Sequence, residues 1–517
     1  MKKALRTSLA IFVVLLCSAP LSPAATKAGG TLRYAVISEP PTLDQHVNSA
    51  DVSTTIAQHV FEGLYTFNAS YDPVPMLVDK EEVKNNGLVV VLSLRQKVMF
   101  HNGKEMTSKD VVASLERWGK FGARGPVLFS HVDKVEATGK YTVQLKFKDA
   151  FAPWRALLAF ISGGPVIYPS EVMENAAKTP IAETQYIGTG PYRFVERNPG
   201  RFILLERFNG YVPRDDAPSG YAGKRVALIE KLQFIPVPDV GTRVNGVKAG
   251  DYDYAETISG DLYDMLASDP SVVTLVNEGV IMPLMFFNSS EGIFKGNWKL
   301  RQAVVASLDM TEALQTGVGP KNLWAADGSL MPKGTSWFTL AGAENHNKKN
   351  IEKAKSLAAA AGYKGEKFTF MVSSAYKLHY DIGQVFAKAM KDAGFNVDLQ
   401  VYDWATLVSK RGDPKQWDLF FTHHGFIPDP ALFTFMSENY PGWWATPEKN
   451  KLAQAYTTAP NQKERIASWA QFQKLVYEQF PIIKVGDVYN FDLYSPKLKD
   501  LGKTQLIWPK FWGVSFK

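Results

Sequence analysis

LRQKVMFHNGKEMTSKDVVASLERW, residues 94–118, is the stretch from which the fold is read. Phe100-His101-Asn102-Gly103 ends an extended run in a tight turn, because Asn and Gly accept the backbone angles such turns demand. Thr107, followed three residues later by Asp110, has the spacing of a capping box and starts a helix. Val111, Val112, Leu115 and Trp118 fall on one face of that helix, so it packs on something larger than itself.

Working outward, 517 residues exceed what one ordinary core supports, and two or three domains are expected. A hydrophobic content of 45% with 21% charge is that of a soluble globular protein. Aromatics make up 12%, including 12 Trp, enough to fill cores and to line a ligand cleft. The formal charge is +7; removing the leader cations Lys2, Lys3 and Arg6 leaves +4 (7 minus 3). Those charges are scattered, which excludes a nucleic-acid surface.

The N-terminus reads as a secretory signal peptide over residues 1–24. It has a basic start, an apolar run from Leu9 to Leu16 too short to span a bilayer, and small residues at 22–25. Cys17, the only cysteine, lies inside it, so the mature chain has no disulfide, thiol nucleophile or thiolate metal site. Leu16, where a small residue would favour lipidation, argues against a lipid anchor on Cys17 and for a free periplasmic protein.

Residues 29–35 read as a strand stopped by Glu39-Pro40-Pro41, residues 51–61 as a helix, and 141–147 as a strictly alternating strand. Helical patterning recurs near Trp154. Gly188-Thr189-Gly190-Pro191 lacks the Lys-Ser/Thr ending of a phosphate loop and reads as a turn. Two units then repeat one plan. Helix 351–361 stops at Gly362 before strand 368–372, and helix 382–393 stops at Gly394 before strand 397–402. A helix over 462–480 precedes a strand at 481–485. This succession predicts an α/β domain with a parallel sheet.

Beside these local readings, residues 100–118 closely resemble the signature of the large extracytoplasmic substrate-binding proteins of oligopeptide, dipeptide and nickel importers. Further landmarks follow in the family's order: GGTLR at 29–33, EPPTLD at 39–44, EGLY at 62–65, YDPVPML at 71–77, GTGPYRF at 188–194 and KLRQAVVASLD at 299–309. The resemblance implies an α/β, two-lobed periplasmic binding protein fold with discontinuous domains and an additional small domain. Its three domains would be 29–77 with 183–285 and 487–517, a peripheral insertion at 78–182, and a second lobe at 286–486. Two crossing strands would join the lobes as a hinge. The implied function is capture of a small-molecule ligand, a peptide, peptide-like or other polar solute. Delivery would be to an inner-membrane ABC permease with cytoplasmic ATPase subunits, by a monomer, with no cofactor, no metal and no catalysis.

Enzyme chemistry was weighed against this. The alternative is a secreted periplasmic hydrolase of peptides or glycoconjugates, but there is no Gly-x-Ser-x-Gly elbow. Ser374 and Lys377 have the Ser-x-x-Lys spacing without its partner motifs. His423 and His424 point to opposite faces of a strand and do not chelate one ion. Residues 419–422 read as a buried strand with a loop at 425–430, the end at which open α/β sheets place ligands. In peptide-binding relatives this loop carries an aspartate for the peptide ammonium, and that position here is Phe426. The arginine used for the peptide carboxylate corresponds to Ser374. A free-amine dipeptide is therefore disfavoured, and a sugar conjugate, opine-like compound or modified peptide fits. The expected ligand-binding residues are Glu39, Leu43, Asp44 and His46 from the first lobe, and Trp404, His423, His424, Gly425, Phe426 and Asp429 from the second, with Tyr489 nearby.

Overall fold

Two long strands carry the chain between the halves of a single 12-stranded sheet in the computed structural model, which describes residues 29–174, 176–501 and 507–517. The leader expected at 1–24, with Cys17, lies outside the described residues. Strand Val273–Phe287 pairs antiparallel with strand Asp487–Tyr494 over residues 273–277. The register then shifts between Asn277 and Ile281, which still meets Val488, and residues 281–287 pair on their other side with Leu419–Gly425. Asp487–Tyr494 is shared in the same way. Tyr494, Leu493 and Phe491 pair with Tyr254, Ala255 and Ile258, whereas Val488 and Asp487 pair with Trp324 and Ala325. Each strand thus has one end in each half, which is the double crossing that the resemblance implied.

In the first half, Thr31–Val36 runs parallel to both Lys231–Pro236 and Tyr254–Ile258. The hairpin of Tyr192–Asn198 and Phe202–Arg207 extends that edge. In the second half, Phe368–Ser373 runs parallel to both Val397–Tyr402 and Leu419–Gly425. The helices expected to feed these strands are Ile351–Ala360 and Lys377–Asp392. The latter begins five residues before Ile382, because Leu378 packs on the core and His379 is fully buried, adding a turn that the apolar stripe alone did not reveal. Helix Asp51–Ala57 stops short of residue 61, since the N–H groups of His59 and Val60 reach back three residues rather than four.

The opening stretch belongs to a separate four-stranded antiparallel sheet, ordered Val78–Lys84, Val89–Leu94, Thr142–Phe147, Val132–Gly139. Helix Ser108–Phe121 lies on it, with Val111, Leu115 and Trp118 buried against Val90, Leu92, Val143 and Leu145. Burial of each such side chain is worth about 1.5–3 kcal/mol. The Asp110 carboxylate accepts the Thr107 N–H at 2.7 Å, and Gly103 closes the turn with φ 82°. Trp118 donates its indole N–H to the Gly163 carbonyl at 2.9 Å, fixing the helix to the segment behind it.

The same helix reaches into the first lobe. Arg117 donates to both oxygens of Asp44, at 3.0 and 2.7 Å, and neither side chain has more than 2% of its surface exposed. Burial works to raise the Asp44 carboxyl, but hydrogen bonds and charge from Arg117 hold it below the usual range. Removing one partner of such a pair strands the other in a dry site. Arg117→Met is therefore expected to lower unfolding free energy in urea by about 3–5 kcal/mol. Asp44→Asn combined with Arg117→Met should lose distinctly less; equal losses would mean that charge pairing is not what the site supplies.

Candidate ligand-binding cleft

Of the three parallel strands of the second half, Phe368–Ser373 and Val397–Tyr402 end together at Ser373 and Tyr402, and Leu419–Gly425 runs on past them. His423 and His424, successive residues on the last strand, do face opposite ways. His423 turns toward helix Lys377–Asp392, where its Nδ1 lies 2.7 Å from Nε2 of His379, so one imidazole donates to the other. Tyr376 meets His423 edge-on at 5.2 Å and Trp404 at 5.2 Å. Burial lowers the pKa of His423 and takes His379 down to about 3, so both rings are neutral at pH 7. Nδ1 of His379 has no hydrogen-bond partner, consistent with an uncharged wall. On the other face, His424 lies 2.9 Å from the Tyr440 hydroxyl and packs on Phe435, and burial lowers its pKa to about 4.

The first lobe presents the opposite chemistry. Where the crossing strands meet it, a cavity of about 80 Å3 is lined by Asp51, Glu256, Asn277, Asn490, Asp492 and Trp508 among others. Asp492 accepts from Tyr254 at 2.5 Å, from the Asn277 amide at 2.7 Å and from the Thr257 N–H at 2.7 Å. Glu256 accepts from the Tyr34 hydroxyl at 2.7 Å and the Ile37 N–H at 2.9 Å. Asp51 accepts the Trp508 indole N–H at 3.0 Å. Arg243 lies close, yet its hydrogen bonds go to the carbonyls of Val237, Pro238, Glu256 and Thr257. Burial pushes Glu256 up to about 7, with the Asp492 charge adding to the shift; burial also raises Asp492.

The structure places the expected residues as follows. Glu39 is held by Arg197 at 2.6 Å and the Gly200 N–H at 2.9 Å, which ties it to the hairpin. Leu43 is core, Asp44 is consumed by Arg117, and His46 is fully buried with Nε2 on the Val166 carbonyl at 2.8 Å. Asp429 is also internal, paired with Arg465 at 2.8 Å. Leu43, Asp44, His46 and Asp429 are buried, and Glu39 is partly exposed with its carboxylate on Arg197. Trp404 and His423 are brought together with Tyr376, while Gly425 pairs with Ile281 at the crossing. Phe426 meets Tyr71, and Tyr489 precedes the cavity-lining Asn490. The sequence reading missed Asp51, Glu256 and Asp492, which stand in no motif: Glu256 and Asp492 meet through strand pairing, and Asp51 joins them from the start of helix Asp51–Ala57.

The model of the bacterial extracellular solute-binding proteins, family 5, matches residues 72–445. The chain belongs to that family. Relatives of this family 5 receptor include the probable peptide ABC transporter periplasmic-binding protein y4tO of Sinorhizobium fredii, 27% identical over 91% of each chain. The oligopeptide-binding protein AppA of Bacillus subtilis is 24% identical over 89% of this chain and 87% of its own. Among solved structures, HbpA2 of Haemophilus parasuis superposes with a TM-score of 0.80 at 20% identity, covering 94% of this chain and 100% of the other. The family 5 chain is the solute-binding component of an ABC importer, working with a permease and its ATPases. Its relatives transport rather than transform, which overturns the hydrolase alternative. Among the described residues no helix is long and apolar enough to cross a membrane.

Glu256 gives the receptor a stability that depends on pH. Its folded value of about 7 lies above its ordinary 4.5, so the folded chain binds more protons between the two. The associated stability is complete below pH 4.5 and is lost as pH rises through 7, roughly 3 kcal/mol in all. Glu256→Gln is neutral throughout and keeps an acceptor for Ile37. It should exceed the wild type in urea-unfolding free energy at pH 8 by about that amount, and match it near pH 4.5.

Proposed function

We propose that the solute is a small peptide or peptide-like amide, with its protonated, donor-rich end in the Asp51–Glu256–Asp492 cavity and its flatter part against Tyr376, Trp404 and His423. The observation carrying this reading is the asymmetry of the two walls: acceptor carboxylates on one, rings and neutral imidazoles on the other. Carboxylates seek hydrogen-bond donors, and uncharged rings stack on amide planes and apolar side chains. The peptide names of y4tO and AppA support the same class. With Phe426 in the second lobe, the ammonium is received by the first lobe instead, so a free amine is again admissible.

In this reading residues 29–77, 183–285 and 487–517 form the first lobe, 78–182 the insertion and 286–486 the second lobe. The leader is removed on export and the mature receptor works as a periplasmic monomer. The lobes close on the solute about the two crossing strands. Moving such an equilibrium from 1:99 to 99:1 takes about 5.5 kcal/mol of differential affinity.

A thermal-shift and calorimetric panel tests this with di- and tripeptides, their N-acetylated forms, opines and sugars. Free-amine peptides should raise the melting temperature, and N-acetylation should weaken binding about 10-fold or more, the value of a charge-assisted hydrogen bond. Asp51→Asn should do the same and Trp404→Ala should weaken every ligand. Equal affinity for acetylated and free peptides would reject the assignment of the ammonium.

A further inference from the structure

At the C-terminal end of helix Asp51–Ala57 lies a second, smaller cavity of about 30 Å3, lined by Gln45, Gln58, Glu62, Thr66, Arg225 and Trp512 among others. Gln45 and Gln58 are 2% and 6% exposed, so their amides are out of reach of bulk solvent. Both amides are oriented by bonds made elsewhere. Oε1 of Gln45 accepts the Gly163 N–H and the Thr54 hydroxyl, each at 3.4 Å, which leaves Nε2 as its free end. Nε2 of Gln58 donates to the Pro509 carbonyl at 2.8 Å and to the Thr55 carbonyl at 3.4 Å, which leaves Oε1. Neither free atom has a hydrogen-bond partner among the described residues.

Turning either amide over brings no relief. Gln58 would then set an oxygen against two carbonyls, and Gln45 an NH2 group against the Gly163 N–H. One side chain thus lacks an acceptor and the other a donor, in surroundings where an unmade hydrogen bond is destabilising. The charges beside them are already balanced. Nη1 of Arg225 lies 3.3 Å from Oε1 of Glu62, and Glu62 also accepts from Tyr211 and Thr189. What fills the cavity therefore carries no net charge and both donates and accepts. A water needs roughly 10–15 Å3 and two to four polar partners, whereas an apolar cavity stays dry. This cavity has the room and the partners.

We propose that the cavity is a built site for one bound water, which accepts from Nε2 of Gln45 and donates to Oε1 of Gln58, with its second hydrogen left for the Glu62 carboxylate. The water is then a link in a chain of bonds from the insertion to the wall of the acidic cavity. Trp118 of the insertion donates to the Gly163 carbonyl, and the Gly163 N–H donates to Gln45. Beyond the water, Gln58 ends the helix that begins at Asp51 and holds Pro509, and both Asp51 and Pro509 line the acidic cavity.

The test involves no solute, so its outcome is separate from the fate of the peptide reading. A crystal structure at a resolution that shows ordered water should place one peak roughly 2.7–3.2 Å from both Nε2 of Gln45 and Oε1 of Gln58. In solution, with glutamine side chains labelled with 15N, magnetisation should pass from water to the Gln45 amide with the sign of a water that tumbles with the protein. The Gln45 resonance is identified by its loss in Gln45→Met. Crystals of that variant should show the peak gone, because a bridge needs both ends. A wild-type cavity without density between the two amides, or amides that bond each other directly, would overturn the site. A peak that stays in place beside Gln58 in Gln45→Met would overturn the bridge.

Discussion

The pairing of residues 273–277 with 490–494 is the constraint on which the architecture depends. It places two strands side by side at the boundary, and each then finds its remaining partners in the other half of the sheet. Ladder pairing stands on both sides of the register shift between Asn277 and Ile281. Asp492 adds side-chain bonds at the same point, to Asn277 on the neighbouring crossing strand and to Tyr254 in the first lobe. Asp492 thereby ties the two crossing strands to the first half of the sheet.

Buried arginine–carboxylate pairs supply the second tier of order. Arg117 holds Asp44, Arg225 holds Glu62 and Arg465 holds Asp429, each joining segments distant in sequence. Glu62 accepts in addition from Thr189 and Tyr211, so its charge is fully surrounded by donors. Such pairs contribute specificity more than net stability, since desolvation offsets much of the attraction. They also occupy acidic residues that lie beside prolines and turns. Asp44 and Asp429 sit in loops near the cleft, but their charges are consumed in holding those loops in place.

The two halves of the sheet differ in the chemistry they present. Asp51, Glu256 and Asp492 give the first lobe acceptors with little positive charge facing them, whereas burial has neutralised the histidines of the second. Phe426, instead of adding a charge to the second wall, spends its ring on Tyr71.

The sequence by itself determined the parts whose signal is local. The turn at Asn102-Gly103, the helix begun by Thr107 and Asp110, strand Val397–Tyr402 and the helix from Gln462 were legible because caps, turns and apolar periods act over a few residues. Ordered family landmarks extended that reading to the lobes and the import function. Tertiary structure alone decided the site. Whether a carboxylate faces solute or an arginine depends on a partner 36 residues away for Asp429 and 73 for Asp44, and no periodicity carries that information. Glu256 and Asp492 became one cavity through the pairing of strands more than 200 residues apart, a convergence that exists only once the chain has folded.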